Sequence, residues 1–357
     1  MPRQSSYLPA GLLADAARLL APALAAAWMS SAVPGPALAD DQNRIGLLEE
    51  NDSLYFNSDK HYTQGLRLSD LAPDLGAKSD WNDPFDFVGA IAPVFAAAGT
   101  DVPRSRRYAL LLGQSLFTPK NLALTDPSQH DRPYAGWLYG GVSLLQENNK
   151  SMLENLEIDL GMVGPAAVGK QVQNNFHQLI GVGEAKGWRD QIQNEPGIMI
   201  SYERLWRLKL IGAGADGVDV VPQVGATVGN VFTYGDIGGM VRIGKNLDAD
   251  YGPVRVRPAL SGTDYFDADG LDSNLGYYFF FGVQGRAVGR NVFLDGNSFR
   301  TSPNVTKKVL VADIEGGLSV FWSSKIRLDL SVVRRTAEFE GQHSPDEIGT
   351  AAVAFSW

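Results

Sequence analysis

A glutamine and a histidine four positions apart, Gln173 and His177, are the first candidates for chemistry in this chain. They lie in a segment bounded by glycines, 164–181, which follows a strand-like run and is not itself strand-like. On a helix, residues four apart share one face, so the amide and the imidazole would point the same way. The structural alternative is a connecting helix whose histidine caps its own C-terminus.

The composition limits which other chemistry is available. The chain contains no cysteine, which excludes disulfides, thiol nucleophiles and thiolate metal sites. Imidazole chemistry must come from four histidines, namely His61, His130, His177 and His343. The chain has neither a Gly-x-Ser-x-Gly elbow nor a His-Glu-x-x-His zinc motif. A water molecule activated with help from a metal is therefore the favoured route to hydrolysis.

An acidic cluster in the first part of the chain contains oxygen ligands suited to a hard cation. It consists of Glu49-Glu50-Asn51-Asp52, followed by Asp59 and by Tyr62-Thr63-Gln64-Gly65. Calcium takes six to eight oxygen ligands, and carboxylates and amides supply them. The spacing does not match an EF-hand loop, so a solvated turn is the alternative interpretation.

Two further polar segments precede strand-like runs. In the first, 130–137, an Asp-Arg pair before a proline predicts a structural clamp, with His130 and Asp131 as a catalytic pair the less favoured alternative. In the second, 187–196, Trp188 is interpreted either as the rim of a substrate groove or as packing at a membrane interface.

The N-terminal residues predict export. The apolar run Leu19–Met29 has 11 residues, too few for a spanning helix, and Ala37-Leu38-Ala39 offers a signal-peptidase site. We therefore predict a signal peptide at 1–39 and one mature domain at 40–357. The net charge of -9 and the pI near 5.0 argue against a nucleic-acid partner.

The rest of the chain alternates apolar and polar residues in long segments separated by turn residues. Aromatic residues lie near the segment ends, which favours an all-β, 12-stranded antiparallel transmembrane β-barrel with short helical loop insertions. The predicted strands are 44–50, 64–70, 106–114, 137–146, 153–162, 197–206, 218–229, 236–244, 276–285, 309–321, 325–334 and 347–357. The lumen of so small a barrel is expected to be filled with side chains.

Six motifs then occur in order along the chain. They are Glu50-Asn51-Asp52, Tyr62-Thr63-x-Gly65, Gly113-Gln114, Asp131-Arg132-Pro133-Tyr134-Ala135-Gly136-Trp137, Gly164-Pro165 with Gln173-x-x-x-His177, and Gly187-Trp188-x-x-Gln191-x-x-Asn194-Glu195-Pro196. Together they resemble the lipid A 3'-O-deacylase family. The resemblance implies a Gram-negative outer membrane barrel that uses calcium to remove the 3'-linked acyloxyacyl chain of lipid A, the lipid of lipopolysaccharide.

The same resemblance implies roles for individual residues. His177 would be the general base that takes a proton from water, and Gln173 would position water or substrate. Asn51 and Asp52 would belong to the calcium or oxyanion site, and Thr63 would line the same pocket.

Substrate contacts are also implied, and alternatives stay open. Lys120 and Arg132 could hold the lipid A phosphates, with Trp188 beside the substrate. His130 stands where the family pattern has an acidic residue, so a share in catalysis stays open for it. The alternative functions are an outer membrane phospholipase or lipid esterase, and a non-catalytic barrel for binding or transport. We expect a monomer.

Overall fold

The computed structural model of this chain is a closed antiparallel barrel. It describes residues 42–55, 60–92, 95, 105–126, 131–148, 151–212, 216–260, 263–267, 271 and 273–357. The strands are β1 (Arg44–Asn51), β2 (His61–Leu71), β3 (Ser105–Thr118), β4 (Ala135–Asn148), β5 (Met152–Val163), β6 (Glu195–Trp206), β7 (Leu208–Ile211), β8 (Gly217–Gly229), β9 (Phe232–Lys245), β10 (Leu275–Asn291), β11 (Leu310–Trp322), β12 (Ile326–Arg335) and β13 (Asp346–Ser356).

The first and last strands close the barrel. β1 pairs with β13 from Arg44 opposite Ser356 to Asn51 opposite Gly349. On the other side, β6 pairs directly with β8, and the short β7 pairs with the N-terminal part of β8. After Arg207, β7 continues β6 at the same position in the barrel wall. The strands therefore fill twelve positions. The prediction of a 12-stranded antiparallel barrel is confirmed.

The strands are longer than predicted at several ends. β2 begins at His61 instead of residue 64, β3 continues to Thr118, and β10 continues to Asn291. These extensions contain polar residues and glycine, which indicate turns when they are read along a single strand. Pairing with a neighbouring strand satisfies their backbone groups, and sequence patterns do not report that pairing.

Side chains alternate between the lumen and the outer face of the wall. In β12, Ile326, Leu328 and Leu330 are exposed on the outside. Arg327, Asp329 and their neighbour Ser331 are buried on the lumen side. This is the predicted assignment, with apolar residues outside and polar residues inside, as in barrels that face lipid.

The long connection between β9 and β10, residues 246–274, is described at 246–260, 263–267, 271, 273 and 274, and these residues enter the lumen and fill it together with the wall side chains. Its Arg255 donates to Glu50 of β1 at 2.7 Å and lies 3.4 Å from Glu315 of β11. Its Arg257 lies 3.1 Å from Glu157 of β5 and also pairs with Glu203 of β6. Buried charges paired in this way tie the connection to strands on several sides of the barrel.

In the part of the chain that the structure describes, three α-helices lie in the connections: α1 (Asn82–Ile91), α2 (Gly169–Ile180) and α3 (Val292–Asp295). We call the barrel end that carries Asn51 and His61 the upper end, and the end that carries Arg44 and Ser356 the lower end. The helix predicted within 164–181 is confirmed as α2, at the upper end, whereas α1 at the lower end was not predicted. Among the described residues, no helix is long and apolar enough to cross a membrane.

Candidate functional site

The outer face of the wall carries polar side chains near the upper end, where lipid-facing residues would be apolar. In β1, Glu50 points into the lumen toward Arg255, so its neighbours Glu49 and Asn51 point outward. Gln64 of β2 reaches Glu49 on this outer face, with Nε2 and Oε2 3.5 Å apart. The upper part of this outer face is therefore too polar to be a surface that contacts only lipid acyl chains.

A β-bulge in β2 turns Thr63 to the same outer face. The register with β3 shifts between Tyr62 and Gln64, which leaves Thr63 as the extra residue. Tyr62 packs in the lumen against Phe117 with ring centroids 5.4 Å apart. The Thr63 hydroxyl meets that of Thr118 at 2.7 Å. The bulge explains how two successive residues, Thr63 and Gln64, both face outward, although successive residues of a regular strand face opposite sides.

Helix α2 covers this polar region from outside. Gly136 and Gln114 point outward from β4 and β3, and Gln114 Nε2 donates to the carbonyl of Ala167 at 2.6 Å. A Cβ atom at Gly169 would lie 2.6 Å from the Trp188 ring and 2.9 Å from Leu116. Only a glycine lets the helix approach the wall this closely.

Gln173 and His177 lie on the face of α2 that is turned away from solvent. Their side chains are 2 % and 3 % exposed, respectively. The helix ends at Gly181, which adopts the left-handed conformation at φ 73° and terminates the helix. The shared face predicted from the four-residue spacing is confirmed, and the face is buried.

The imidazole of His177 is oriented by a backbone carbonyl. Nδ1 lies 2.7 Å from the carbonyl oxygen of Gly183, just beyond the helix. A carbonyl oxygen only accepts, so Nδ1 carries the proton and Nε2 carries the lone pair in the neutral ring. The structural reading, in which His177 bonds the C-terminal end of its own helix, is thus compatible with a basic Nε2.

Gln173 and Trp188 form a second fixed pair. The indole Nε1–H of Trp188 donates to Gln173 Oε1 at 2.7 Å, and the Trp188 ring lies 5.0 Å from that of Tyr134. Trp188 is 1 % exposed. The structure therefore places Trp188 behind Gln173 as packing support, away from the surface of any groove.

The remaining motif residues hold the connections of the upper end together. Asn194 Oδ1 accepts from the amide of Ala166 at 2.7 Å. The carboxylate of Glu195 accepts from Asn230 at 2.9 Å and from the amide of Ser298 at 2.8 Å. These bonds join the connection that carries α2 to two others, and so fix the position of the helix.

A histidine outside the predicted site, His61, joins two distant carboxylates. Its Nδ1 lies 2.7 Å from Asp346, and its Nε2 lies 3.5 Å from Asp131. Asp131 also accepts from the amides of Lys120 and Arg132, both at 2.8 Å. Burial acts to raise the pKa of Asp131, but these hydrogen bonds outweigh it and hold the pKa below its usual value.

Sequence reasoning missed His61 because its partner Asp346 is 285 positions away. Of the other two histidines, His343 is exposed, and His130, like Asp59, lies outside the described residues.

The two predicted phosphate-binding residues differ in accessibility. The side chain of Lys120 is exposed at the upper end. Arg132 is fully buried, 3.4 Å from Glu338 and over the Phe117 ring at 4.6 Å from its centroid. The Arg132 side chain thus forms a structural clamp with Glu338 instead of Asp131. Because it is buried, a phosphate does not reach it in this arrangement.

Asn51 and Asp52 provide the kinds of oxygen that calcium prefers. Asn51 Oδ1 accepts from the amide of Ser53 at 2.8 Å and from its hydroxyl at 2.6 Å, and Asp52 accepts from the amide of Lys60. No three His, Asp or Glu side chains in the described ranges form a metal cluster. A calcium ion would therefore draw its other ligands from hydroxyls, carbonyls and water, all of which it accepts.

Comparison with known proteins gives a family and solved structures of similar fold. The model of a family described as outer membrane protein LpxR matches residues 13–357. The solved structure of LpxR from Salmonella typhimurium is similar at a TM-score of 0.68 and 21 % identity, over 87 % of this chain and 99 % of that chain. The beta domain of the Bordetella autotransporter BrkA reaches a TM-score of 0.41 and 11 % identity, over 88 % and 98 %. No curated protein sequence matches.

Proposed function

The chain belongs to the family of outer membrane protein LpxR, the lipid A deacylase family that its motifs resemble, and we propose that it is a lipid A 3'-O-deacylase. As a member of that family the protein is located in the outer membrane. The proposed reaction is hydrolysis of the ester that links the acyloxyacyl chain to the 3'-oxygen of lipid A.

One observation carries the proposal: the Gln173–His177 face lies against the outside of the barrel wall. The lumen is occupied by the 246–274 connection with its buried Arg255 and Arg257. A substrate therefore has to approach from the membrane side, as a lipid does. This arrangement favours an enzyme that acts on a membrane lipid and argues against a barrel that transports solutes through its lumen.

The proposed catalytic step uses Nε2 of His177. Nε2 takes a proton from water as the water oxygen attacks the ester carbonyl carbon, and the Gly183 carbonyl keeps the ring oriented throughout. When the tetrahedral intermediate collapses, Nε2 returns that proton to the departing 3'-oxygen. The products are a free 3'-hydroxyl and an acyloxyacyl carboxylic acid.

Gln173 positions the reactants in this scheme. Its carbonyl oxygen accepts from Trp188, and its amide nitrogen is the donor that we assign to water or substrate. The exposed Lys120 is the residue we assign to a lipid A phosphate, whereas the buried Arg132 supports the fold around it.

Calcium is part of the proposal, with Asn51 and Asp52 as ligands. When bound, the ion would stabilise the negative charge that develops on the carbonyl oxygen. Thr63, turned outward by the bulge, would line the same pocket.

The test is mass spectrometry of lipid A from cells that express the native chain or His177→Ala, with His343→Ala as the matched control. We expect the native chain and His343→Ala to give lipid A lighter by one acyloxyacyl group, and His177→Ala to give unmodified lipid A. Calcium chelation in membrane extracts should abolish activity.

Two outcomes would overturn parts of the proposal. Unmodified lipid A in the presence of correctly inserted native protein would reject the substrate, and release of fatty acids from phospholipid alone would identify a phospholipase. Full activity in chelator would remove calcium from the reaction while leaving the role of His177 intact.

A further inference from the structure

A second helical segment, described over residues 72–92 and at Phe95, packs on the outer face of the wall at the lower end. On the outer face of β5, Ile158 and Leu160 are exposed, whereas Glu154 below them is fully buried. The cover over this lower part is provided by Phe85 of α1 and by Phe95, which pack with residues of β3 to β6, namely Tyr108, Val142, Leu144, Leu156 and Tyr202.

The cover protects a polar group on the outer face. The Glu154 carboxylate accepts from Gln146 at 2.8 Å, from the Tyr202 hydroxyl at 2.6 Å and from Arg204 at 2.6 Å. Gln146 also donates to the carbonyl of Phe95 at 2.7 Å, which joins this group to the cover. A carboxylate facing lipid without such a cover would be costly.

Aromatic contacts place the segment at the boundary between lipid and water. Trp81, just before α1, stacks on Tyr108 of β3 with centroids 3.8 Å apart and planes at 15°. Tyr108 and Tyr202 point outward near the lower ends of their strands, two and four residues below exposed Leu110 and Ile198. Tyrosine and tryptophan concentrate at membrane interfaces.

Helix α1 exposes apolar side chains on part of its solvent-facing surface. Phe87 and Ile91 are each 66 % exposed, and their spacing places them on one face. Asp86, also exposed, lies about 100° from Phe87 around the helix, on the side opposite to Ile91, and exposed Asp83 lies one turn before Phe87. An apolar strip with acidic residues beside it and at its N-terminal end fits a position in the plane of the interface.

We propose that α1 is an interfacial helix whose Phe87 and Ile91 insert among the acyl chains of the bilayer leaflet at the lower end. The lipid-facing belt of the wall is continuous with them, because exposed Leu110 and Leu112 lie above the segment on β3. The partner is thus a phospholipid surface. The proposal does not depend on the activity at the upper end.

Spin labelling tests the insertion, and the absence of native cysteine makes the labelling specific. Full-length Phe87→Cys and Ile91→Cys carry a nitroxide in palmitoyl-oleoyl-phosphatidylcholine vesicles, and collisions with oxygen and with a water-soluble nickel chelate are compared. Leu110→Cys is the reference for lipid, and Asp86→Cys, on the acidic side of the same helix, is the reference for water. Heat-modifiable gel mobility confirms that each variant is a folded barrel.

We expect labels at 87 and 91 to shift toward the oxygen-to-nickel collision ratio of position 110 and away from that of position 86. A ratio equal to that of position 86 would overturn the proposal, since the helix would then face water. Protection from both agents would also overturn it, because it would indicate a protein partner such as a second copy.

Discussion

Helices α1 and α2 both lie on the outside of the same barrel wall, yet they cover it in opposite ways. α2 buries the polar side chains of Gln173 and His177 and approaches the wall closely at Gly169. α1 turns Phe85 toward the wall and exposes Phe87 outward. The buried face of α2 is polar and carries side chains that can take part in chemistry. The buried face of α1 is apolar and shields a carboxylate whose hydrogen bonds are already made within the protein.

The first prediction breaks the contact that seats α2. Gly169→Leu places a side chain where Trp188 and Leu116 already lie, so the helix must move away from the wall. We expect activity to fall about 100-fold, because small displacements of catalytic groups have effects of this size. Lipid A mass spectrometry measures the loss, and gel mobility checks that the barrel is folded.

Gly76→Ala is the control for that variant, because a Cβ atom there meets nothing within 4 Å. Unchanged activity in Gly169→Leu would mean that the close approach of α2 to the wall is not needed for the reaction.

The second prediction sharpens the role of the polar face of α2. Gln173→Leu keeps the volume but leaves the buried Trp188 Nε1–H without its acceptor. We expect a fall of about tenfold in kcat/KM, in line with the cost of one buried unpaired donor. If Gln173 serves only to hold Trp188, the double variant with Trp188→Phe will recover activity; if it positions water or substrate, it will not.

The third prediction concerns α1 and has the smallest effect on activity. Phe85→Ala removes the buried anchor of the lower cover, and we expect it to destabilise the barrel by about 3 kcal/mol, as Phe-to-Ala changes in cores do. Lipid A deacylation should stay at the native level. Thermal unfolding in detergent and the activity assay measure the two quantities, and a parallel loss of activity would show that the two helices are coupled.

The fold followed from the sequence more completely than the site did. Alternation identified the barrel because its period is local, and spacing alone placed Gln173 and His177 on one face. The outward turn of Thr63 depends on a bulge that exists only through pairing with β3. The partnership of His61 with Asp346 depends on two ends of the chain that meet only when the barrel closes.

Burial was the other property that the sequence did not reveal. Arg132 and Trp188 look accessible in a polar, glycine-containing segment, yet both are covered by the connections above them. Helix α1 was missed because its apolar residues split between the wall and the exposed side, which weakens a single-face pattern.

The charged connection inside the lumen also has a mechanical consequence. Arg255 links β1 to β11, and Arg257 links β5 to β6, so the cylinder is braced from within at several points of its circumference. A thin hollow tube would flatten under the lateral pressure of the surrounding lipids. We expect the braced wall to keep its curvature, and with it the close approach of α2 to the outer surface at Gly169.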